Sequence, residues 1–291
     1  MVTSASSPSL RAVKFHDVPT IQYIDPSPSS GTRKRLNLSK QLFERFDGGE
    51  VTNEMLVEAS QLFNENYGVW GKDAARSGAF AKPGARVRLS TERLRAQYLP
   101  PGAACSYVRV TIDDCLAGNA FACRWTDDDK TICWVTQLVV HRDYRERGIA
   151  VSLLNQIREY DDDIYGLMSS HPAACLAAAK AFNHGINTVQ LDFIRKHAGA
   201  VVRASPISYV KDADLRGSLF DNEESDGVVS SVYTNFFVDH TKPLEALAWV
   251  QESLGWPLGE LLDGHEFLFL LESRRRGRSR SRSNPRPPTV S

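Results

Sequence analysis

Long apolar runs are absent from this chain. No stretch approaches the ~20 apolar residues that a membrane-spanning helix needs, so no membrane contact is expected. The first twenty residues lack a charged start followed by an apolar core, and no secretory signal is expected. Cysteine is sparse. Five stand at 105, 115, 123, 133 and 175, none in a C-x-x-C pair and none grouped with histidine at zinc-like spacing. They read as reduced, small core residues of a protein kept in the cytoplasm or nucleus, and no metal site is expected. Three further motifs are missing. A dinucleotide-binding G-x-G-x-x-G, a P-loop lysine and the G-x-S-x-G of a serine nucleophile are all lacking, which sets those three chemistries aside.

What is present is ordinary for a globular protein. The chain has 291 residues, with 42% hydrophobic and 24% charged, enough to bury a substantial core. Net charge is zero but unevenly placed. Residues 271–291 hold seven Arg and one Glu, while the remaining 270 hold 28 basic and 34 acidic side chains. The expected layout is a disordered stretch at 1–10, a single α/β domain over 11–272 with an enlarged C-terminal part, and a disordered Arg/Ser/Pro-rich tail at 273–291.

Periodicity places the elements. A first strand is expected around residues 20–24 and a Ser/Pro/Gly loop at 26–35. Residues 52–67 read as a helix capped by Thr52, with Met55, Leu56, Ala59, Leu62 and Phe63 on one stripe. A second helix spans 90–98 and stops at Pro100-Pro101. Strands follow at 106–112, 120–125 and 131–140. Gly118-Asn119 is suited to the first connecting turn, and the three aspartates within 126–130 to the second. The 131–140 strand is nearly continuous in apolar residues toward its end, which suits a central strand covered on both faces of a mixed sheet. Next come a helix at 149–160, a strand at 164–169, an Ala-rich helix at 172–182, a helix at 188–204, a polar mobile loop at 212–227, a strand at 232–238, a helix at 244–254 and a strand at 266–271.

The stretch 133–158 carries the chemistry. A strand feeds a short basic loop, Arg145-Glu146-Arg147-Gly148-Ile149-Ala150, and a helix opens at once. The first turn of a helix leaves N–H groups without partners and adds partial positive charge, so it suits phosphate. Gly148 allows close backbone approach, and Arg145 and Arg147 add donors suited to phosphate oxygens. As a plain structural alternative, Gly148 marks a tight turn and the arginines are solvated.

The pattern Arg145-x-x-Gly148-x-Ala150 resembles motif A of the GNAT superfamily of N-acetyltransferases, and the order of elements over about 50–186 is similar to that family's. The resemblance implies a GNAT-type α/β fold, with a mixed, mostly antiparallel sheet flanked by helices. It implies acetyl-CoA as cosubstrate, its pyrophosphate held by Arg145, Glu146, Arg147, Gly148, Ile149, Ala150 and Val151, and its pantetheine arm by the end of the preceding strand, Leu138, Val139 and Val140. The implied reaction is acetyl transfer to a primary amine, borne by a small molecule or a protein.

The same resemblance exposes gaps. The family's leaving-thiolate tyrosine would fall near Ala181, beside Phe182, and neither has a hydroxyl. Ser170, His171 and Cys175 are substitutes, each with a structural role as the plainer reading. The glutamate that many relatives carry on the long strand is missing, since Trp134, Thr136 and Gln137 stand there. Water leading toward Asp113, Asp114 or a loop carboxylate is one route for the proton, and the sequence does not fix which. A non-catalytic acyl-CoA-binding scaffold is therefore the rival reading. Trp70, near Tyr67, is a candidate lining residue of an acceptor pocket. Trp125, Trp134, Trp249 and Trp256 read as packing. The Arg/Ser tail can contact RNA or act as a nuclear signal, although a solubilising tail is the simpler reading. The oligomeric state is not legible.

Overall fold

A computed structural model of the chain describes residues 40–220 and 227–274. The strand expected around 20–24, the loop at 26–35, the first ten residues and nearly all of the Arg/Ser tail lie outside the described residues. The strands are β1 Gln41–Asp47, β2 Ala104–Ile112, β3 Cys115–Asp127, β4 Lys130–Val140, β5 Ile164–Ser169, β6 Asp214–Arg216, β7 Ser231–Tyr233 and β8 His265–Glu272. The helices are α1 Asn53–Asn66, α2 Thr91–Tyr98, α3 Ile149–Ile157, α4 Pro172–Ala181, α5 Leu191–Arg203, α6 Ser208–Lys211 and α7 Thr241–Leu254. The strands form one sheet in the order β1-β2-β3-β4-β5-β8-β7-β6. Only β4 and β5 run parallel, and every other neighbouring pair is antiparallel.

Local chemistry explains the element ends. Thr52 Oγ1 accepts from the Met55 N–H and Ser90 Oγ from the Arg93 N–H, so both helix starts are capped by hydroxyls. α1 then buries Leu56, Ala59, Leu62 and Phe63. The β2–β3 turn is not at Gly118-Asn119 but at Asp113-Asp114, both with positive φ (49° and 65°). Aspartate tolerates that conformation, and the Asp113 carboxylate is held by the Lys40 N–H at 2.9 Å. Gly118 serves another purpose inside β3. A Cβ there would meet Leu153 Cδ1 and Val139 O at 3.1 Å and Ile149 Cγ2 at 3.2 Å, so its absence lets α3 lie close on the sheet. The β3–β4 turn falls within 126–130 as expected, at Asp128-Asp129.

Two C-terminal expectations change. The strand expected at 232–238 pairs only over β7. Beyond it the backbone turns toward the segment after α1, where the Gly71 N–H donates to Phe237 O at 2.9 Å and Trp70 bridges Val238. Within the polar stretch 212–227, residues 214–216 add a short edge strand, β6, to β7.

Helices cover both faces of the sheet. Gly118 faces α3, while Phe121, three residues on and so on the opposite face, meets the Tyr98 ring of α2 at 5.8 Å. A buried ion pair ties the connection after α3 to β3. Arg124 Nε donates to Asp162 Oδ1 at 2.8 Å and its Nη2 to Oδ2 at 3.1 Å, and Asp162 is fully buried. β4 and β5 are held close by a glycine. A Cβ on Gly166 would lie 2.4 Å from the Trp134 ring, which covers β5 at that point.

Candidate functional site

The site begins as a break in the sheet. β4 and β5 pair only from Ile132–Ile164 to Val135–Leu167. Beyond this β4 stays with β3 as far as Val140, and β5 stays with β8 as far as Ser169. The two strands therefore diverge, and Thr136 to Val140 have no ladder partner on the β5 side. A bulge starts the divergence. Phe121 opposes Gln137 and Ala122 opposes Val135, so Thr136 is the extra residue. Thr136 Oγ1 and the Gln137 side-chain amide are buried there without a hydrogen-bond partner of proper geometry. Leu138, Val139 and Val140 lie on this unpaired edge, where the resemblance puts a pantetheine arm.

The loop after β4 gathers the other expected residues. Gly148 caps α3 with φ +78°, a left-handed conformation that glycine adopts without strain. A Cβ on Gly148 would meet nothing within 4 Å, so the space above the helix start is open. The N–H groups of Gly148, Ile149, Ala150 and Val151 make no bond to another backbone group among the described residues, and the Ser152 N–H is the first to return to Gly148 O, at 3.0 Å. Free N–H groups, helix dipole and open space together make an anion cradle.

The basic side chains divide the work. Arg145 clamps the loop, with Nε donating to Val140 O at 3.2 Å and Nη2 to Asn66 O at the end of α1. The Arg142 N–H is likewise held by Asn66 Oδ1 at 3.0 Å. Arg147 lies 5.4 Å over the Tyr144 ring and is exposed, which leaves its donors free for a ligand.

Each weak catalytic candidate has a structural partner or is buried. His171 caps α4, its Nδ1 accepting from the Ala173 N–H at 3.2 Å. Burial, and then the charge of Arg145, hold its pKa below the usual histidine range, so it is neutral near pH 7. Ser170 is buried, and its neighbour Ser169 Oγ accepts from the His171 N–H at 3.0 Å. Cys175 is fully buried, and burial raises its thiol pKa. Ala181 and Phe182 are core residues, with the Phe182 ring stacked on Tyr165 at 3.9 Å. Asp113 and Asp114 form the β2–β3 turn described above. Of the tryptophans, Trp249 is 59% exposed, outside the core, while Trp70 is buried edge-on to Phe236 at 5.2 Å.

Sequence reasoning missed a second constellation beside the break. Glu266 stands on β8, one residue beyond Phe267, which pairs with Ser169. Burial raises its pKa from the ordinary 4.5 to about 7, against the lowering effect of a hydrogen bond with Thr234. Its charge is felt by Tyr67, just after α1, by Tyr98 of α2 and by Tyr209 of α6. Burial raises all three hydroxyls, Tyr98 to about 12, and the Glu266 charge raises each further. Tyr67 is 36% exposed overall, yet its hydroxyl is desolvated. The Tyr209 hydroxyl donates to Thr136 O at 3.0 Å, on the bulge itself. No lysine, arginine or histidine is among the groups that shift Glu266. The only sequence sign of this residue is one acid at the start of an otherwise apolar strand, and its tyrosine neighbours come from segments far apart in the chain.

A cleft of about 560 Å³ lies at the other end of the sheet, among Arg45, Arg95, Arg124 and Cys105. Its arginines are already engaged: Arg124 by Asp162, Arg45 by Glu159, and Arg95 by Val51 O and Asn53.

The model of the acetyltransferase (GNAT) family matches residues 79–182, which include β4, the loop and α3 to α4. No curated protein matches the chain. Solved structures overlap it in part. A tandem GNAT protein from the clavulanic acid biosynthesis pathway is 19% identical at TM-score 0.33, over 49% of this chain and 43% of that one. The Escherichia coli ribosomal-protein-S18-alanine N-acetyltransferase is 14% identical at TM-score 0.30, over 47% of this chain and 75% of that one. Diaminobutyrate acetyltransferase from Paenibacillus lautus is 12% identical at TM-score 0.31, over 50% and 74%. This chain thus spans less than half the length of the tandem protein. The neighbours' acceptors say nothing of this chain's own.

Proposed function

From the premise that residues 79–182 form a domain of the acetyltransferase (GNAT) family, we propose that this protein transfers an acetyl group from acetyl-CoA to a primary amine. The observation that carries the reading is the juxtaposition of an anion cradle at Gly148 with a sheet opening that starts at Thr136. A pyrophosphate fits the free N–H groups of Gly148 to Val151, with Glu146, Arg147 and Arg145 completing the loop, and an extended amide-bearing arm fits the unpaired edge at Leu138, Val139 and Val140. Acetyl-CoA, when bound, supplies an acetyl group activated as a thioester.

This chain's residues then have three tasks. The unpaired backbone beyond Thr136 offers donors for a carbonyl oxygen that gains charge. Glu266, as carboxylate, takes one proton from the acceptor ammonium and frees its lone pair for attack, a role suited to a group that titrates near 7. A C–N bond forms as the C–S bond breaks, and the second nitrogen-borne proton ends on the departing sulfur. We assign the relay of that proton to the Tyr209 hydroxyl, which its hydrogen bond to Thr136 O holds on the bulge.

The test is thiol release from acetyl-CoA by the full chain across a panel of amines. Amine-dependent release, with the acetylated amine identified by mass, is the expected result. Acetyl-CoA binding without release under any amine overturns the enzyme reading in favour of an acyl-CoA-binding protein.

A further inference from the structure

Two cysteines face each other at the end of the sheet away from the Gly148 loop. Cys105 of β2 stands directly opposite Cys123 of β3 in the antiparallel register. Residues so opposed carry their side chains on the same face. The next pair along that face, Tyr107 and Phe121, has ring centroids 4.5 Å apart. The backbone groups of Cys105 point away from β3. Its N–H donates to Ala103 O at 3.0 Å, and its carbonyl oxygen lies 3.2 Å from where a Cβ on Gly48, just after β1, would stand. The pair is therefore of the non-hydrogen-bonded kind, in which Cα atoms lie about 4.5 Å apart. That separation is within the range of about 4.4–6.8 Å that a disulfide spans. The other cysteines are placed elsewhere. Cys133 pairs with Arg124, so it leaves the sheet on the face opposite to Cys123. Cys115 is at the far end of β3, and Cys175 is in α4.

The two thiols differ in access. Cys123 is fully buried, while Cys105 lines the cleft of about 560 Å³ between the segments that follow β1 and α2. A Cβ on Gly48 would crowd the Cys105 Cβ at 3.2 Å, and glycine leaves that side uncovered. We infer that Cys105 and Cys123 form a reversible disulfide, Cys105 being the thiol that meets a hydroperoxide in the cleft and Cys123 the thiol that resolves it. The Cys105 thiolate attacks one peroxide oxygen. An S–O bond forms, the O–O bond breaks, and the departing oxygen takes up the proton that Cys105 released. The Cys123 sulfur then attacks the sulfenic sulfur. The S–S bond forms, the S–O bond breaks, and the Cys123 proton leaves with the hydroxide as water. The two thiols lose two electrons and the hydroperoxide gains them. The contact between the thiols suits these roles. The Cys123 S–H donates to the Cys105 sulfur and lowers its pKa, while the same bond, and then burial, keep Cys123 protonated. A small thiol that reaches Cys105 through the cleft reverses the link by exchange.

The experiment treats the full chain with hydrogen peroxide, blocks free thiols with N-ethylmaleimide in denaturant, and maps tryptic fragments by mass without reductant. The fragments holding Cys105 and Cys123 should be joined, with the loss of two hydrogens, and dithiothreitol should separate them. Cys115→Ser, which removes the other cysteine of the Cys123 fragment, should keep the link. Cys123→Ala should hold Cys105 as a sulfenic acid that dimedone traps, and Cys105→Ala should leave Cys123 reduced. In the folded, untreated chain N-ethylmaleimide should modify Cys105 about tenfold or more faster than Cys123. Both thiols still free after peroxide, in a chain whose thermal melt shows it folded, would overturn the inference. So would a link to Cys115 in place of Cys123, or oxidation of Cys123 in Cys105→Ala.

Discussion

A desolvated carboxylate titrates where an exposed one does not, and at Glu266 that shift has two measurable consequences. The first is kinetic. The rate should rise as pH passes about 7, because the ionised form is the one that accepts a proton. The second is thermodynamic and has the opposite sense. A pKa raised from 4.5 to about 7 means that the stability tied to the protonated form is full below 4.5 and lost as pH rises through 7. Glu266→Gln escapes that loss. Melting curves should show the variant gaining on the parent protein from pH 5 to pH 8, whereas an equal Tm difference at both pH values would contradict a buried, shifted carboxylate. Elsewhere, Arg124 donates two hydrogen bonds to the buried Asp162 carboxylate. Asp162→Ala removes both of these bonds but leaves Arg124 its ion pair with Glu159 at 3.2 Å, and should cost about 1.5–3 kcal/mol, read by urea denaturation.

At the scale of elements, the junction of β4 and β5 decides whether a site exists. Four pairs hold the strands together, and the bulge at Thr136 then parts them. Gly166→Ala should disrupt this junction, since the new methyl would strike the Trp134 ring, itself fully buried. A loss of about 1–3 kcal/mol, the usual cost of overpacking, is expected in thermal unfolding, with weakened acetyl-CoA binding. The sequence made some of these elements legible and others not. The caps at Thr52 and Ser90, the stripe of α1 and the apolar run of β4 are local signals, and each element forms where those signals lie. The misplaced turn at Gly118-Asn119 shows the limit. Glycine there reflects the distant α3 helix and not local chain reversal, which two aspartates accomplish instead. The bulge at Thr136 was equally hidden, because it exists only in register with β3.

At the scale of the molecule, the cradle was legible because its parts are contiguous from Arg145 to Val151. The setting of Glu266 was not, because the tyrosines that feel its charge, Tyr67, Tyr98 and Tyr209, lie far from it in the chain. The basic tail contributes no residue named in either. Removing residues 275–291 takes away six of the chain's arginines but no part of the cradle. The truncated chain should therefore bind acetyl-CoA with the affinity of the full chain at physiological salt. The most direct test of the account is acetyl-CoA calorimetry on the parent protein and Gly148→Glu, with thermal melts alongside. A carboxylate on a residue held at positive φ, over the open helix start, should abolish acetyl-CoA binding and lower stability by only about 1–2 kcal/mol. Undiminished affinity in the variant would contradict the assignment of the α3 N-terminus as the pyrophosphate site.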